Sequence, residues 1–159
     1  MTPILNIADI TDYQQNDDGA FKEQCAPISD HIGARKLGYN VVILQPGFKA
    51  SPFHNHHINE EMFLVLEGSG TLRFGTETFA IGKDDIIACP PGGRELAHQI
   101  INSSDKPLKY LALSTNEPYE ICEYPDSNKT LSMVGHHSKP VFSQISRVED
   151  SVDYFDREN

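Results

Sequence analysis

From Leu37 to about Ser114 the chain alternates short runs of Val, Ile, Leu and Phe with Gly, Pro and Asp. "YNVVILQ", "EMFLVLEG", "TLRFG", "TETFAIG", "DIIACPPG", "AHQIIN" and "LKYLALS" each read as a strand of four to seven residues. Short strands at regular spacing predict an all-β sandwich or barrel. "RFGTETF" carries a Gly-centred hairpin signal, and "GKDD" marks another turn. The run Met62 to Leu66 is apolar at every position. One of its faces belongs to the barrel interior; the other needs cover from the terminal arms or from a second subunit, which makes a homodimer an expectation. Residues 1–36, with the polar, turn-rich "YQQNDDGAFKEQ", form an N-terminal arm, and residues 37–115 the barrel. Residues 116–159, with "YPDSNK" and "HHSKP", read as a loop-like C-terminal arm. There Ser146 and Glu149 fit a capping box, and Val148, Val152 and Phe155 follow at helical spacing. At most one short C-terminal helix is therefore expected.

Composition narrows the partners. A chain of 159 residues fits one domain that buries enough surface to need no disulfide staples. Its formal charge of −10, with thirteen scattered basic residues, excludes the clustered cations that nucleic-acid binding draws on. No stretch approaches the ~18 apolar residues of a membrane span. Cys25, Cys89 and Cys122 are odd in number and unrelated in spacing, which suits reduced thiols in a cytoplasm. The opening "MTPILNIADITD" has no basic n-region, so no signal peptide is expected. A cytoplasmic protein with a small-molecule partner is the resulting expectation.

The densest chemistry lies in "HNHHINEE", residues 54–61. On an extended strand His54 and His56 project from one face and His57 from the other. Glu61, Phe63 and Val65 share a face of the next strand, with Glu60 at its mouth, so Glu61 could join the two imidazoles. His57 reads as a rim residue. His136 and His137 read as solvated loop residues, and Cys89 as a small core residue with nothing cationic nearby to activate it.

The stretch "GFKASPFHNHHINEEMFLVLEG" resembles the first motif of the cupin superfamily, in which HxH, a following Glu and a later Gly recur; Glu61 and Gly68 stand at that spacing. "PPGGRELAHQIIN" resembles the second motif through Pro90, Gly92, His98 and Asn102. Two departures stand out. Five residues separate Gly92 from His98 where two are usual, and Asp84 occupies the place of an expected glycine. The resemblance implies a cupin-type double-stranded β-helix, or jelly-roll barrel, with His54, His56, Glu61 and His98 as metal ligands.

Three imidazoles and one carboxylate suit one divalent transition metal ion (Fe, Mn, Ni, Co or Zn) better than Ca or Mg. Arg94, in the lengthened loop "GGRELA", is a candidate for a substrate carboxylate or phosphate, with Arg73 and Lys109 weaker candidates of the same kind. "CEYPDS" and "VDYFDREN" extend the resemblance to small single-domain bacterial cupins labelled as sugar-phosphate isomerases. That implies an isomerase-type enzyme acting on a small sugar or sugar phosphate, with an anionic or carbohydrate ligand; His57 and Glu60 are the bases nearest by sequence. A redox-metal dioxygenase and a non-catalytic ligand-binding or regulatory cupin are the alternatives, because the fold does not choose the reaction.

Overall fold

Alternation along each strand decides which side chains enter the interior. The structure, a computed structural model, describes residues 2–136 and 138–158; His137 lies outside the described residues. In chain order the strands are β1 (Gln14–Asp18), β2 (Phe21–Pro27), β3 (Leu37–Leu44), β4 (Asn55–His56), β5 (Glu61–Glu67), β6 (Ser69–Phe74), β7 (Glu77–Gly82), β8 (Ile86–Cys89), β9 (His98–Ile101), β10 (Leu108–Thr115), β11 (Tyr119–Tyr124), β12 (Lys129–His136) and β13 (Lys139–Arg147). A one-turn helix, α1 (Ser29–Ile32), precedes β3. One antiparallel sheet runs β1-β2-β3-β10-β5-β8, a second β7-β6-β9, and a third β13-β12-β11-β4. All seven runs marked by hydrophobic pattern are strands. No helix among the described residues is long and apolar enough to cross a membrane.

Inward residues of the first two sheets form one core: Val42, Leu44, Phe63, Val65, Leu108 and Tyr110 from the larger sheet meet Leu72, Ile81 and Ile100 from the smaller. Fully burying one such aliphatic side chain contributes roughly 1.5–3 kcal/mol. The register shows where this core stops. Leu108 lies opposite Leu44, and Tyr110 opposite both Val42 and Val65. Further along, Ala112 lies between Asn40 and Phe63, and Ser114 between Gly38 and Glu61. The interior is thus apolar at one end and turns polar at the other. That polar end holds the candidate chemistry.

Asn102 is a structural residue. It is fully buried, and its Nδ2 donates to the carbonyls of Leu44 at 2.7 Å and Lys106 at 2.8 Å. Its Oδ1 accepts from the Ser104 amide at 3.0 Å and hydroxyl at 2.8 Å. All four hydrogen-bonding positions of the carboxamide are used.

Two backbone positions explain motif residues. Gly68 has φ +82°, and a Cβ there would stand 2.3 Å from the Pro107 carbonyl oxygen, so only glycine fits. Asp84, where a glycine is usual, adopts φ +72°, a left-handed conformation that Asp tolerates and β-branched residues do not. Asp84→Val is expected to cost about 1–2 kcal/mol in chemical denaturation, and Asp84→Gly to leave stability within about 1 kcal/mol of the parent.

The arms carry more regular structure than their composition suggests. β1 and β2 form a hairpin that extends the larger sheet beyond β3. On the outer face of that sheet, Val41 is buried beside α1, whereas Ile86 at the far edge is 70% exposed. The N-terminal arm therefore covers one side of the apolar face and leaves the other open. In the C-terminal arm the loop-like expectation is corrected: "YPDSNK" marks the turn joining β11 to β12, and Ser138 is a turn residue between β12 and β13. The helical reading there also yields to strand pairing. Ser146 stays in β13 opposite Thr130, and Val148–Asp150 makes only a single 3-10 turn. Local helical spacing is a weak preference, and the β12 partner outweighs it.

Candidate metal centre

Backbone pairing brings two distant segments together. His54 and His98 form an antiparallel bridge, with the His54 amide donating to the His98 carbonyl at 3.2 Å and the reverse bond at 2.7 Å. The Gly92 amide donates to the His56 carbonyl at 2.8 Å, and the buried Asn55 side chain donates to the Gly92 carbonyl at 2.8 Å. The "PPGG" turn is thereby pinned to the HxH segment. The long gap that follows is taken up by a 3-10 turn, Arg94–Leu96, and the Ala97 carbonyl accepts from the Gly75 amide at 2.8 Å. His98 then re-enters strand β9.

Three imidazoles converge on one carboxylate oxygen. Glu61 Oε2 lies 2.9 Å from His98 Nε2, 3.3 Å from His56 Nε2 and 3.9 Å from His54 Nε2. The other ring nitrogens are committed outward. His54 Nδ1 is 2.7 Å from the Pro52 carbonyl, and His98 Nδ1 is 3.4 Å from the Leu96 carbonyl. Carbonyl oxygens only accept, so in the neutral ring each Nδ1 carries the hydrogen, which leaves each Nε2 able to give its lone pair to an ion in place of a proton shared with Glu61. His56 Nε2 is buried and has no hydrogen-bond partner of adequate geometry among the described residues. Three ring nitrogens converging on one half-buried carboxylate call for positive charge between them, and this donor set fits a divalent transition metal.

A carboxylate that the sequence did not mark holds His56. Glu120, 3% exposed on β11, accepts from His56 Nδ1 at 3.2 Å, the Asn59 amide at 2.8 Å, the Ile58 amide at 3.1 Å and the Ile121 amide at 2.8 Å. The Asn59 side-chain amide also donates to it. Cys122 Sγ lies 3.2 Å from the same His56 nitrogen, and the Tyr124 ring stacks on His54 at 6.1 Å between centroids. His56, Glu120 and Cys122 also gather close enough to suggest a second ligand group, yet they meet His56 through Nδ1 while its Nε2 faces Glu61. The two groups make one site and its backing. Period-two alternation through "YEICEY" puts Glu120, Cys122 and Tyr124 on one face, the signal by which they are legible.

The electrostatics favour positive charge at this point. Burial alone would raise the Glu61 carboxyl, but the imidazoles of His56 and His98 set against it outweigh burial and hold it well below the usual range. Burial likewise opposes a charged His56, and Cys122, Glu120 and Glu61 together overcome it and raise its pKa. Burial and the neighbouring His98 push His54 down to about 4. Cys89 is buried opposite Glu61, and burial pushes its thiol up to about 12, as an inert core residue requires.

Beside His54, His56 and Glu61, with His98 buried behind them, opens a cavity of about 450 Å³, its walls including Asn40, Ser114, Glu117, Tyr124 and Met133. A second groove, around Leu72, Phe79 and Ile86, lies on the barrel's apolar flank, away from the converging side chains. Arg94 does not line the cavity: its guanidinium donates to Glu123 at 2.9 Å and Asn128 at 3.2 Å. Glu123 also meets His57 at 3.0 Å, placing His57 on the rim. Arg73 is held bidentately by Asp126 at 2.6 and 2.9 Å, and Lys109 faces outward between the inward Leu108 and Tyr110. Glu60 is exposed, and exposed His136 bonds the Ser138 hydroxyl at 2.8 Å at the cavity edge.

Residues 40–114, spanning β3 to β10 and all four converging side chains, match the family described as cupin domain. Over that stretch the chain is similar to a cupin domain. An uncharacterised protein of Methanocaldococcus jannaschii is 36% identical over 74 residues, which cover 44% of this chain and 57% of that relative. The fold is shared more widely. A candidate sugar phosphate isomerase from Acidithiobacillus ferrooxidans superposes with a TM-score of 0.83 at 21% identity, covering 96% of both chains. A cupin-superfamily sugar phosphate isomerase from Silicibacter pomeroyi gives 0.78 at 25% identity, covering 97% of this chain and 98% of its own. An oxalate decarboxylase, so named by prediction, from Thermotoga maritima gives 0.60 at 18% identity and covers 70% of this chain and 97% of its own. The likeness to the first two structures extends beyond residues 40–114 into both arms, since it covers nearly the whole chain.

Proposed function

We propose that His54, His56, Glu61 and His98 hold one divalent transition metal ion and that this chain is an isomerase-type enzyme acting on a small sugar. The observation that carries the proposal is three Nε2 atoms within 3.9 Å of one carboxylate oxygen, beside a cavity of about 450 Å³. The ion supplies Lewis-acid polarisation of a bound carbonyl. The chain's own residues orient the rest of the molecule: Ser114, at the level of Glu61, and Asn40, at the level of Phe63, offer neutral donors and acceptors on the cavity wall. Moving a proton between neighbouring carbons needs a base inside the cavity. Glu117 and Tyr124 line it, whereas His57 is engaged by Glu123. The sugar reading draws support from the two full-length structural neighbours, both named for sugar phosphate isomerisation.

Purified, metal-loaded protein is expected to exchange an aldose with its ketose, and Glu61→Gln to abolish that exchange. Oxygen consumption by the iron-loaded protein without sugar exchange would overturn the isomerase reading. The proposal includes a second copy of the chain on the open apolar flank, where Ile86 and Phe79 are 70% and 46% exposed. Sedimentation is expected to give about twice the chain mass of 17.8 kDa.

A further inference from the structure

Resting on the reading of the site as a metal-dependent sugar site, we infer that the cavity takes an uncharged polyhydroxylated molecule, a free sugar or polyol, and rejects its phosphate ester. A phosphate monoester carries about −1.5 to −2 charges at neutral pH and is held by Arg, Lys or converging backbone amides. No Lys or Arg is among the described residues lining this cavity. Its charged walls beyond the converging side chains and Glu120 are Asp30 and Glu117, both acidic.

The two arginines that the sequence singled out are paired elsewhere. Arg94 is held by Glu123 and Asn128, and Arg73 by Asp126. Lys129 sits 5.5 Å from the Tyr124 ring centroid and does not line the cavity. A dianion entering here therefore meets the carboxylates of Asp30 and Glu117 in addition to Glu61 and Glu120, and no guanidinium or ammonium group among the described lining residues, in a chain whose formal charge is already −10.

What the walls do offer is neutral. The Asn40 carboxamide and Ser114 hydroxyl share the inward face with Glu61 and have no side-chain partner among the described residues. Gly38, beside them, keeps the space open: a Cβ there would stand 2.8 Å from Ser114 Oγ and 3.2 Å from Asn116 Oδ1. Unpartnered groups that both donate and accept match sugar hydroxyls, which do the same.

The test is calorimetric titration of the metal-loaded protein, its metal content measured first, at a pH where phosphate esters are dianions. The probes are five- and six-carbon aldoses and ketoses, each paired with its own phosphomonoester, and inorganic phosphate alone. At least one free sugar is expected to bind saturably, with its ester at least tenfold weaker and inorganic phosphate silent. Asn40→Ala and Ser114→Ala are expected to weaken the sugar at least fivefold with metal content and circular dichroism unchanged. Tighter binding of the ester overturns this inference and leaves the metal-dependent sugar reading standing. No binding from either set, by protein shown to hold its metal, overturns both. If both alanine variants, folded and metal-loaded, bind sugar like the parent, the assigned walls are wrong and the inference falls.

Discussion

Glu120→Gln lowers the affinity for a divalent transition metal by roughly 10–100-fold, the range found when a carboxylate that orients a metal-bound histidine is removed. The cause lies in what Glu120 accepts. Its two oxygens receive the amides of Ile58, Asn59 and Ile121 and the Nδ1 hydrogen of His56. A glutamine fills the same volume, yet whichever oxygen becomes an amide nitrogen then faces backbone N–H groups. His56 loses the charged acceptor that fixes its tautomer, so its Nε2 no longer stays aimed at Glu61. Competition with a chelator of known affinity, at equal concentrations of folded protein, measures the effect. An unchanged affinity would mean that His56 is oriented by something else.

Asn102→Ala costs about 3 kcal/mol or more, because each buried group left without its partner costs roughly 1–3 kcal/mol. The buried Leu44 carbonyl and the Ser104 amide lose the side chain that meets them, while the exposed Lys106 carbonyl keeps the Ser104 hydroxyl. For a chain of 159 residues that corresponds to a melting point lower by roughly 6–12 °C. Metal content per folded molecule is expected to stay at the parental value, which separates this residue from the ligands. Thermal unfolding followed by circular dichroism, with metal analysis of the same samples, checks both halves.

These two residues mark how far the sequence can be read. The barrel was legible because its interior strands alternate conventionally: Phe63, Val65, Leu108 and Tyr110 point in, and turn residues separate the runs. His54, His56 and Glu61 were legible because a period of two puts them on inward faces of neighbouring segments. His98 was reached only through the second motif's resemblance, since nothing local links it to His54. Asn102 was recognised as a motif residue, but its task emerged only with the Leu44 carbonyl 58 positions away.

The C-terminal wall was missed for a different reason. In β11 the inward residues are Glu120, Cys122 and Tyr124, while Tyr119 and Ile121 face out. The polarity is the reverse of an ordinary core strand, so hydrophobic pattern reads it as loop. A buried carboxylate is stable there because five donors converge on it, from a segment about 60 residues earlier and from its own strand. Arg94 stood out as a lone cation in a long loop; its partners, Glu123 and Asn128, come from that same unmarked arm.

The claim beneath all of this is that two segments brought together by a β-bridge grip one cation through three ring nitrogens and a single acid group. Anomalous diffraction from crystals of tag-free protein, reloaded after chelation, tests it directly. The expected result is a single transition-metal peak about 2.0–2.2 Å from Nε2 of His54, His56 and His98 and from a Glu61 oxygen. A peak seated instead between His56 Nδ1, Glu120 and Cys122, or no metal taken up under any loading condition, would contradict it.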